Sequence, residues 1–312
     1  MSKALVYGLI SSLFFSSTYI LNREMATASY AWQWTAALRF LIMLPLLALL
    51  LSKNHAYRPV LQSIRDNLLS WVLWSCVGFG LFYVPLCYAA SFGPAWLIAG
   101  AWQITIPAGA LLTPLFLAPS LVNGKLQQIR HKIPIKLLLT AVLIMCGVGL
   151  MLVHEATSVS FITVLAIVLP VGIAAFAYPL GSRKILFKHG HNLNTLQRVF
   201  GMTLCSMPVW LCLAGFELSQ SQLPPLEQIF QSGVVALFSG IIATLLLFEA
   251  ANLVKHNLSQ LAVIEATQAG EVVFTLLGGV LFFHDGVPDL FACLGIALVL
   301  IGMVINSLVV RK

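Results

Sequence analysis

Ten apolar stretches, each about long enough to cross a bilayer, follow one another along the chain and leave room for little else. A spanning helix rises about 1.5 Å per residue and needs about 20 mainly apolar residues. Stretches of that kind run over 4–22, 34–52, 68–91, 95–117, 134–153, 159–181, 196–216, 232–253, 258–283 and 288–309. Charged residues make up 9% of the 312 and hydrophobic ones 60%, whereas soluble domains carry about a quarter charged residues. So few charges cannot cover a water-exposed surface. The expectation is therefore an all-α integral membrane protein with ten transmembrane helices and the lipid bilayer as its solvent.

Orientation follows from the basic residues, which collect in cytoplasmic loops. With the N-terminus inside, 14 of the 17 Lys and Arg fall on the cytoplasmic side, from Lys3 and Lys53 through the 125–136 loop to Arg311 and Lys312. Both termini are then cytoplasmic. The net charge of +7 is spread over short loops, so nucleic acid is not an expected partner. All six cysteines lie inside apolar runs without a CxxC, which suits packing and not a disulfide scaffold.

The chain also repeats itself. Tyr19-Ile-Leu-Asn-Arg23 resembles Tyr178-Pro-Leu-Gly-Ser-Arg183, and Arg39-Phe-Leu opens the second stretch as Arg198-Val-Phe opens the seventh, at offsets of 159 to 161. Gln103 and Gln268 align the fourth and ninth stretches. Five helices is an odd number, so two such copies insert with opposite orientations. The expected organisation is two inverted five-helix repeats, 1–153 and 154–312, in one membrane domain. Inverted repeats mark secondary transporters, whose substrate site lies near the midplane between the halves. Two complete repeats in one chain mean that no oligomer is required.

This plan resembles the drug/metabolite transporter superfamily, in particular its ten-helix members with EamA-type repeats. The resemblance is carried by the duplicated plan, by Arg39-Phe-Leu, and by the tail Gly278-Gly-Val-Leu-Phe-Phe-His-Asp285 followed by Leu294 to Gly302. Ala101-Trp-Gln-Ile-Thr105 and Ala266-Thr-Gln-Ala-Gly-Glu271 look most like the multidrug resistance efflux branch. Where many EamA repeats have a proline in helix nine, this chain has Ala269-Gly270-Glu271. The resemblance implies a secondary active exporter of small metabolites or of lipophilic or cationic compounds in a plasma membrane, the bacterial inner membrane in the first instance. Proton coupling is left open. A lipid or lipid-precursor flippase of the same superfamily is the alternative.

An ionisable group at a helix centre costs at least about 2.5 kcal/mol on insertion scales, so each one marks a site until explained. Arg39, Arg198, Glu249, Glu265 and Glu271 are the five. Glu271 is the deepest, and Glu265, Gln268, Glu271 and Thr275 fall on one arc of a helix. Gln268 is placed to hydrogen-bond Glu271. Desolvation disfavours the charged form of a carboxyl, which is the chemistry a proton-coupled exporter needs. Glu249 lies closer to the cytoplasm, where a structural duty competes evenly with a functional one. Arg39 and Arg198 occupy equivalent positions, which points to a shared structural role such as fixing a helix end. Ser12, Ser16, Tyr19 and Arg23 form a polar stripe on the first helix. Trp102, Tyr83 and Tyr88 lie deep enough to form an aromatic wall for a cation, with Trp102 on one face with Ile106, Gly109 and Thr113. The expected substrate and proton site is thus drawn from Glu271, Gln268, Glu265, Trp102, Gln103, Tyr83, Tyr19, Ser16 and Glu249.

No HExxH, GxSxG, P-loop or dinucleotide fingerprint occurs, so no cofactor or metal is expected and an intramembrane enzyme ranks below a transporter. A receptor ranks low for want of any reason to carry an inverted repeat.

Overall fold

Where water is absent, every backbone N–H and C=O must find a partner within the chain, and an apolar run meets this demand by closing on itself as a helix. The computed structural model describes residues 2–52, 56–122, 125–130, 142–151, 161–190, 192–220, 223–254, 264, 267–283 and 287–309. Helices account for most of them. In order these are α1 (Ser2–Thr27), α2 (Trp32–Leu51), the short surface helix α3 (Arg58–Asp66), α4 (Leu68–Ser75), α5 (Leu81–Ala89), α6 (Ala95–Trp102) and α7 (Thr105–Leu111). Then come α8 (Val142–Met151), α9 (Phe161–Lys188), α10 (Thr195–Cys205), α11 (Met207–Ser219), α12 (Leu226–Val235), α13 (Thr244–Val254), α14 (Gly270–Phe283) and α15 (Leu290–Val309). Five helices among the described residues are long and apolar enough to cross a membrane, or six if α10 and α11, bent by 43°, count as one span.

Two of the long helices contain a stretch of π-helix. Cys76–Gly80 joins α4 to α5, and Ala236–Ala243 joins α12 to α13. The extra residue per turn displaces the backbone bonds, so Leu81 N–H reaches Cys76 O, and Thr244 Oγ1 donates to Ser239 O at 3.0 Å. Pro85, four residues after Leu81, also lacks the N–H that the Leu81 carbonyl would accept. Such π turns concentrate at functional positions in helices.

Several boundaries differ from the expectation. The run over 95–117 is not one helix: it breaks at Gln103 and Ile104, so Trp102 does not share a continuous face with Gly109 and Thr113. Leu117–Val122 and Lys125–Arg130 pair as an antiparallel hairpin, with Leu117 opposite Arg130 and Val122 opposite Lys125. Among the described residues the regular structure is therefore helical apart from this hairpin, where Lys125, Gln127, Gln128 and Arg130 end the apolar run. Helix α1 continues to Thr27 and closes in a left-handed turn at Ser29 (φ 60°), with Tyr30 N–H donating to Met25 O. Helix α9 runs on to Lys188, and Gly190 N–H closes it on Ile185 O at 2.8 Å. Those i to i−5 bonds satisfy carbonyls that a helix end otherwise leaves open.

Packing places α1 and α9 in similar surroundings. Helix α1 lies against α12, the second π stretch, α13 and α14, while α9 lies against α4, the first π stretch, α5, α6 and α7. Helix α2 packs on α10, α11 and α12. Helices α8 and α15 cross in opposite directions, because Met151 meets Gly295 at one end of the contact and Ile144 meets Gly302 at the other. A Cβ on Gly147 would stand 2.7 Å from the Gly295 carbonyl oxygen. Only glycine permits that approach of two backbones.

Candidate functional site

Helix α1 carries its polar side chains toward three different neighbours. Ser11 Oγ donates to Ala243 O at the end of the second π stretch (2.8 Å), and Tyr19 Oη donates to Glu271 Oε2 on α14 (3.3 Å). Asn22 Oδ1 accepts from Tyr83 Oη on α5 at 3.0 Å, and Arg23 donates to Ala90 O at 3.1 Å. Such bonds tie spanning helices where hydrophobic burial alone cannot. Ser12 and Ser16 do not join them: their hydroxyls turn back to Leu9 O and Leu13 O. The expected stripe is thus split between residues that reach out and residues bonded within the helix.

Glu271 sits in the first turn of α14, immediately after a 3₁₀ turn at Thr267–Ala269 that interrupts the ninth apolar stretch. Its side chain is 4% exposed. The start of a helix presents unbonded N–H groups and a favourable dipole to a carboxylate. Gly270 allows the approach of α1, since a Cβ there would clash with Ser12 Oγ at 2.5 Å. Among the described residues no cationic side chain lies within ion-pair distance of Glu271, and the Tyr19 hydroxyl is its side-chain partner. Gln268 does not take the role expected of it: its buried Nε2 has no hydrogen-bond partner. Thr275 Oγ1, one turn beyond Glu271 and fully buried, has none either. Buried polar groups nearly always find partners, so this arc of α14 has bonding capacity to spare.

Helix α6, which ends at Trp102, packs against α14, and Trp102 is one of three mutually packed aromatic rings. Phe82, Trp102 and Tyr178 lie 4.9 to 5.9 Å apart, centroid to centroid. Trp102 belongs to the same buried core cluster as Tyr19 and Val272, the residue after Glu271, and Phe82 and Tyr178 are partly buried and pack against that cluster. Sequence reasoning selected Trp102 but passed over Phe82 and Tyr178. The signal for Tyr178 was its alignment with Tyr19 in the repeat.

Comparison with known proteins identifies the setting of this site. Residues 2–312 match the model of the EmrE family, described as "Putative multidrug resistance efflux transporter". The chain belongs to that family. It is a membrane transporter of the drug/metabolite type. It is 46% identical to "Uncharacterized protein YjlA" of Bacillus subtilis (strain 168), over 98% of this chain and 94% of that one. It is 40% identical to "Uncharacterized 42.1 kDa protein in intracellular alkaline protease 3'region" of Shouchella clausii, over 90% of this chain and 73% of that one. A crystal structure with 15% identity shares the fold at a TM-score of 0.64, covering 100% of this chain and 98% of that one.

The remaining candidates of this EmrE-family chain each have their own surroundings. Tyr83 is fully buried, and its ring carries the Arg39 guanidinium at 4.2 Å from the centroid. Arg39 also donates to Ser239 Oγ (3.0 Å) and Thr18 Oγ1 (3.5 Å). It therefore joins α1, α5 and the second π stretch instead of fixing the end of its own helix. Arg198 differs: it donates to Thr195 within its own helix and lies over the Phe248 ring, 5.8 Å from its centroid. Gln103 is buried, with its amide bonded to Ala99 O in its own helix. Tyr88 is at the end of α5 against Trp32 and Phe92. Glu249 lines a separate open cleft of about 430 Å³ with Tyr7, Asn194, Thr195, Leu196, Leu245 and Leu246. Glu265 lies outside the described residues.

Proposed function

We propose that this chain is a ten-span secondary transporter, built as two inverted repeats over 1–153 and 154–312, that exports lipophilic cations and similar small molecules by alternating access. Both termini face the cytoplasm and the membrane is the bacterial inner membrane. Glu271 binds a proton and the cationic centre of the substrate in turn.

Several observations support the ten-span plan. Helical segments occur in each of the ten apolar stretches, and the π stretches start 160 residues apart, at Cys76 and Ala236. The fourth and ninth stretches are interrupted at Gln103 and at Gln268, and α8 crosses α15 antiparallel as inversion requires. The reciprocal neighbours of α1 and α9 fit the same symmetry.

The observation that carries the chemistry is the nearly inaccessible Glu271 carboxyl, held by one tyrosine hydroxyl, on a helix packed against the one that ends at Trp102. Taking a carboxylate out of water costs several kcal/mol unless its charge is compensated. A proton or a bound cation supplies that compensation, and two ligands that satisfy the same need exclude one another. Exclusive binding at one group is what couples proton entry to substrate exit. The Phe82, Trp102 and Tyr178 rings present negative faces to a large cation.

The test uses purified protein in liposomes with an acidic lumen and tetraphenylphosphonium as the probe. Accumulation above that of protein-free liposomes is expected, and it should vanish when the pH gradient is collapsed. Equal uptake with and without the gradient would reject proton coupling, and uptake no greater than in protein-free liposomes would reject the substrate class.

A further inference from the structure

A transporter that works by alternating access needs a closure on each side of the membrane, and in an inverted repeat the two closures fall at corresponding places in the two halves. The turn after α1 and the turn after α9 are such places. Both are closed by an i to i−5 bond, Tyr30 N–H to Met25 O and Gly190 N–H to Ile185 O. Next to each closing bond, one side chain leaves its own half of the chain. Tyr30 Oη donates to Glu227 Oε2 at 2.9 Å, at the start of α12. His189 Nε2 shares a hydrogen bond of 2.8 Å with Ser70 Oγ, at the start of α4. Tyr30 and His189 stand 159 residues apart, within the offsets that relate the two repeats.

We propose that Tyr30–Glu227 and His189–Ser70 are paired latches, the first tying the two halves together at the outer face and the second at the inner face, and that transport requires them to open in alternation. This rests on the topology of the proposed function.

The surroundings of each bond support a latch. At the outer face Gln228, next to Glu227 and fully buried, donates to Ala31 O and Thr35 Oγ1, both at 2.9 Å. Bonding to the Glu227 carboxylate raises the Tyr30 phenol above its ordinary value, so the hydroxyl remains a donor. At the inner face the Trp71 ring lies near-parallel to the His189 imidazole, and its Nε1 donates to Ser63 Oγ at 3.2 Å. Ser63 Oγ in turn donates to His189 O at 3.3 Å. Gln197 Nε2 donates to Ala56 O at 2.7 Å beside it. Each face thus has one bond made by a turn side chain, backed by a buried amide or indole. The Tyr30 bond is exposed and the His189 bond part-buried, and a side-chain hydrogen bond in such a place contributes little enough to open within a transport cycle.

The experiment measures labelling from outside by an impermeant thiol reagent, in right-side-out vesicles, at Gln268→Cys in a protein whose six native cysteines are replaced. Removing the outer latch with Tyr30→Phe should raise the labelling rate about fivefold, the effect of one hydrogen bond. Removing the inner latch with Ser70→Ala should lower it by a similar factor, because the equilibrium then favours the inward-open form. Glu227→Ala and His189→Ala repeat each arm should the first variant fail to fold, judged by thermal stability in detergent. Opposite shifts support the proposal. Shifts of the same sign, or none in either arm, overturn it. A reversed topology would instead be recognised by cysteines at 123 and 187 labelling from outside, so failure of the topology and failure of the latches give different results.

Discussion

The break after α6 and the start of α14 in this transporter each place a glutamine in a tight turn before a helix, and they differ in chemistry. In the first, Trp102 ends the helix and Gln103 lies in the break, and the Gln103 amide returns to Ala99 O, leaving an aromatic, internally bonded surface. In the second, Thr267–Ala269 precede Gly270 and Glu271, and Gln268 Nε2 and Thr275 Oγ1 remain without partners around a carboxyl held by Tyr19. On the proposed two-repeat plan, the difference separates what duplication can supply from what it cannot. On that plan symmetry would supply a pathway between the halves, while coupling would require one charged group and an unlike neighbour. At the position that aligns with Glu271 the first half has Ile106.

The largest effect is expected from Glu271→Gln, which keeps shape and hydrogen bonding but cannot release a proton. Gradient-driven tetraphenylphosphonium uptake should fall to that of protein-free liposomes, while thermal stability in detergent stays the same or rises because no charge is buried. Normal driven uptake would erase the contrast between the two helices. Next comes Trp102→Ala on the aromatic side. Losing one desolvated cation–π partner should weaken probe affinity about tenfold, read by equilibrium dialysis, with expression unchanged. Tyr19→Phe removes the bond to Glu271 and should weaken the same affinity about fivefold. Unaltered affinity in this variant would separate α1 from the site. The smallest effects belong to Gln103→Ala and Glu249→Gln, each under about twofold in affinity. Gln103 is bonded within its own helix, and Glu249 is exposed on a cleft apart from Glu271.

Much of this arrangement is legible in the residues themselves, for a physical reason. Hydropathy reports the solvent, so the apolar stretches and the isolation of Glu271 could be read directly. Hydropathy does not report how the backbone bonds are routed. The π stretches at Cys76–Gly80 and Ala236–Ala243 and the break at Gln103 keep the same apolar composition as regular helix, and left no mark. Tyr19 and Glu271 both stood among the candidates, but their pairing spans 252 positions and no local pattern encodes it. Gln268, three residues away on the same arc, looked the natural partner. The intrusion of α1 at Gly270 brings the tyrosine to the carboxyl instead. For a similar reason the structural duty expected of Arg39 takes a form that no local pattern encodes: its partners Thr18, Tyr83 and Ser239 come from three distant segments.

Proton release on substrate binding tests the central claim most directly. If Glu271 exchanges one ligand for the other, adding tetraphenylphosphonium to the detergent-purified protein in weakly buffered solution near neutral pH should release about one proton per cation bound, as linkage demands. Glu271→Gln should release none while retaining measurable binding to the aromatic rings. Binding without proton release by the native protein, or the same release by Glu271→Gln, would contradict the account.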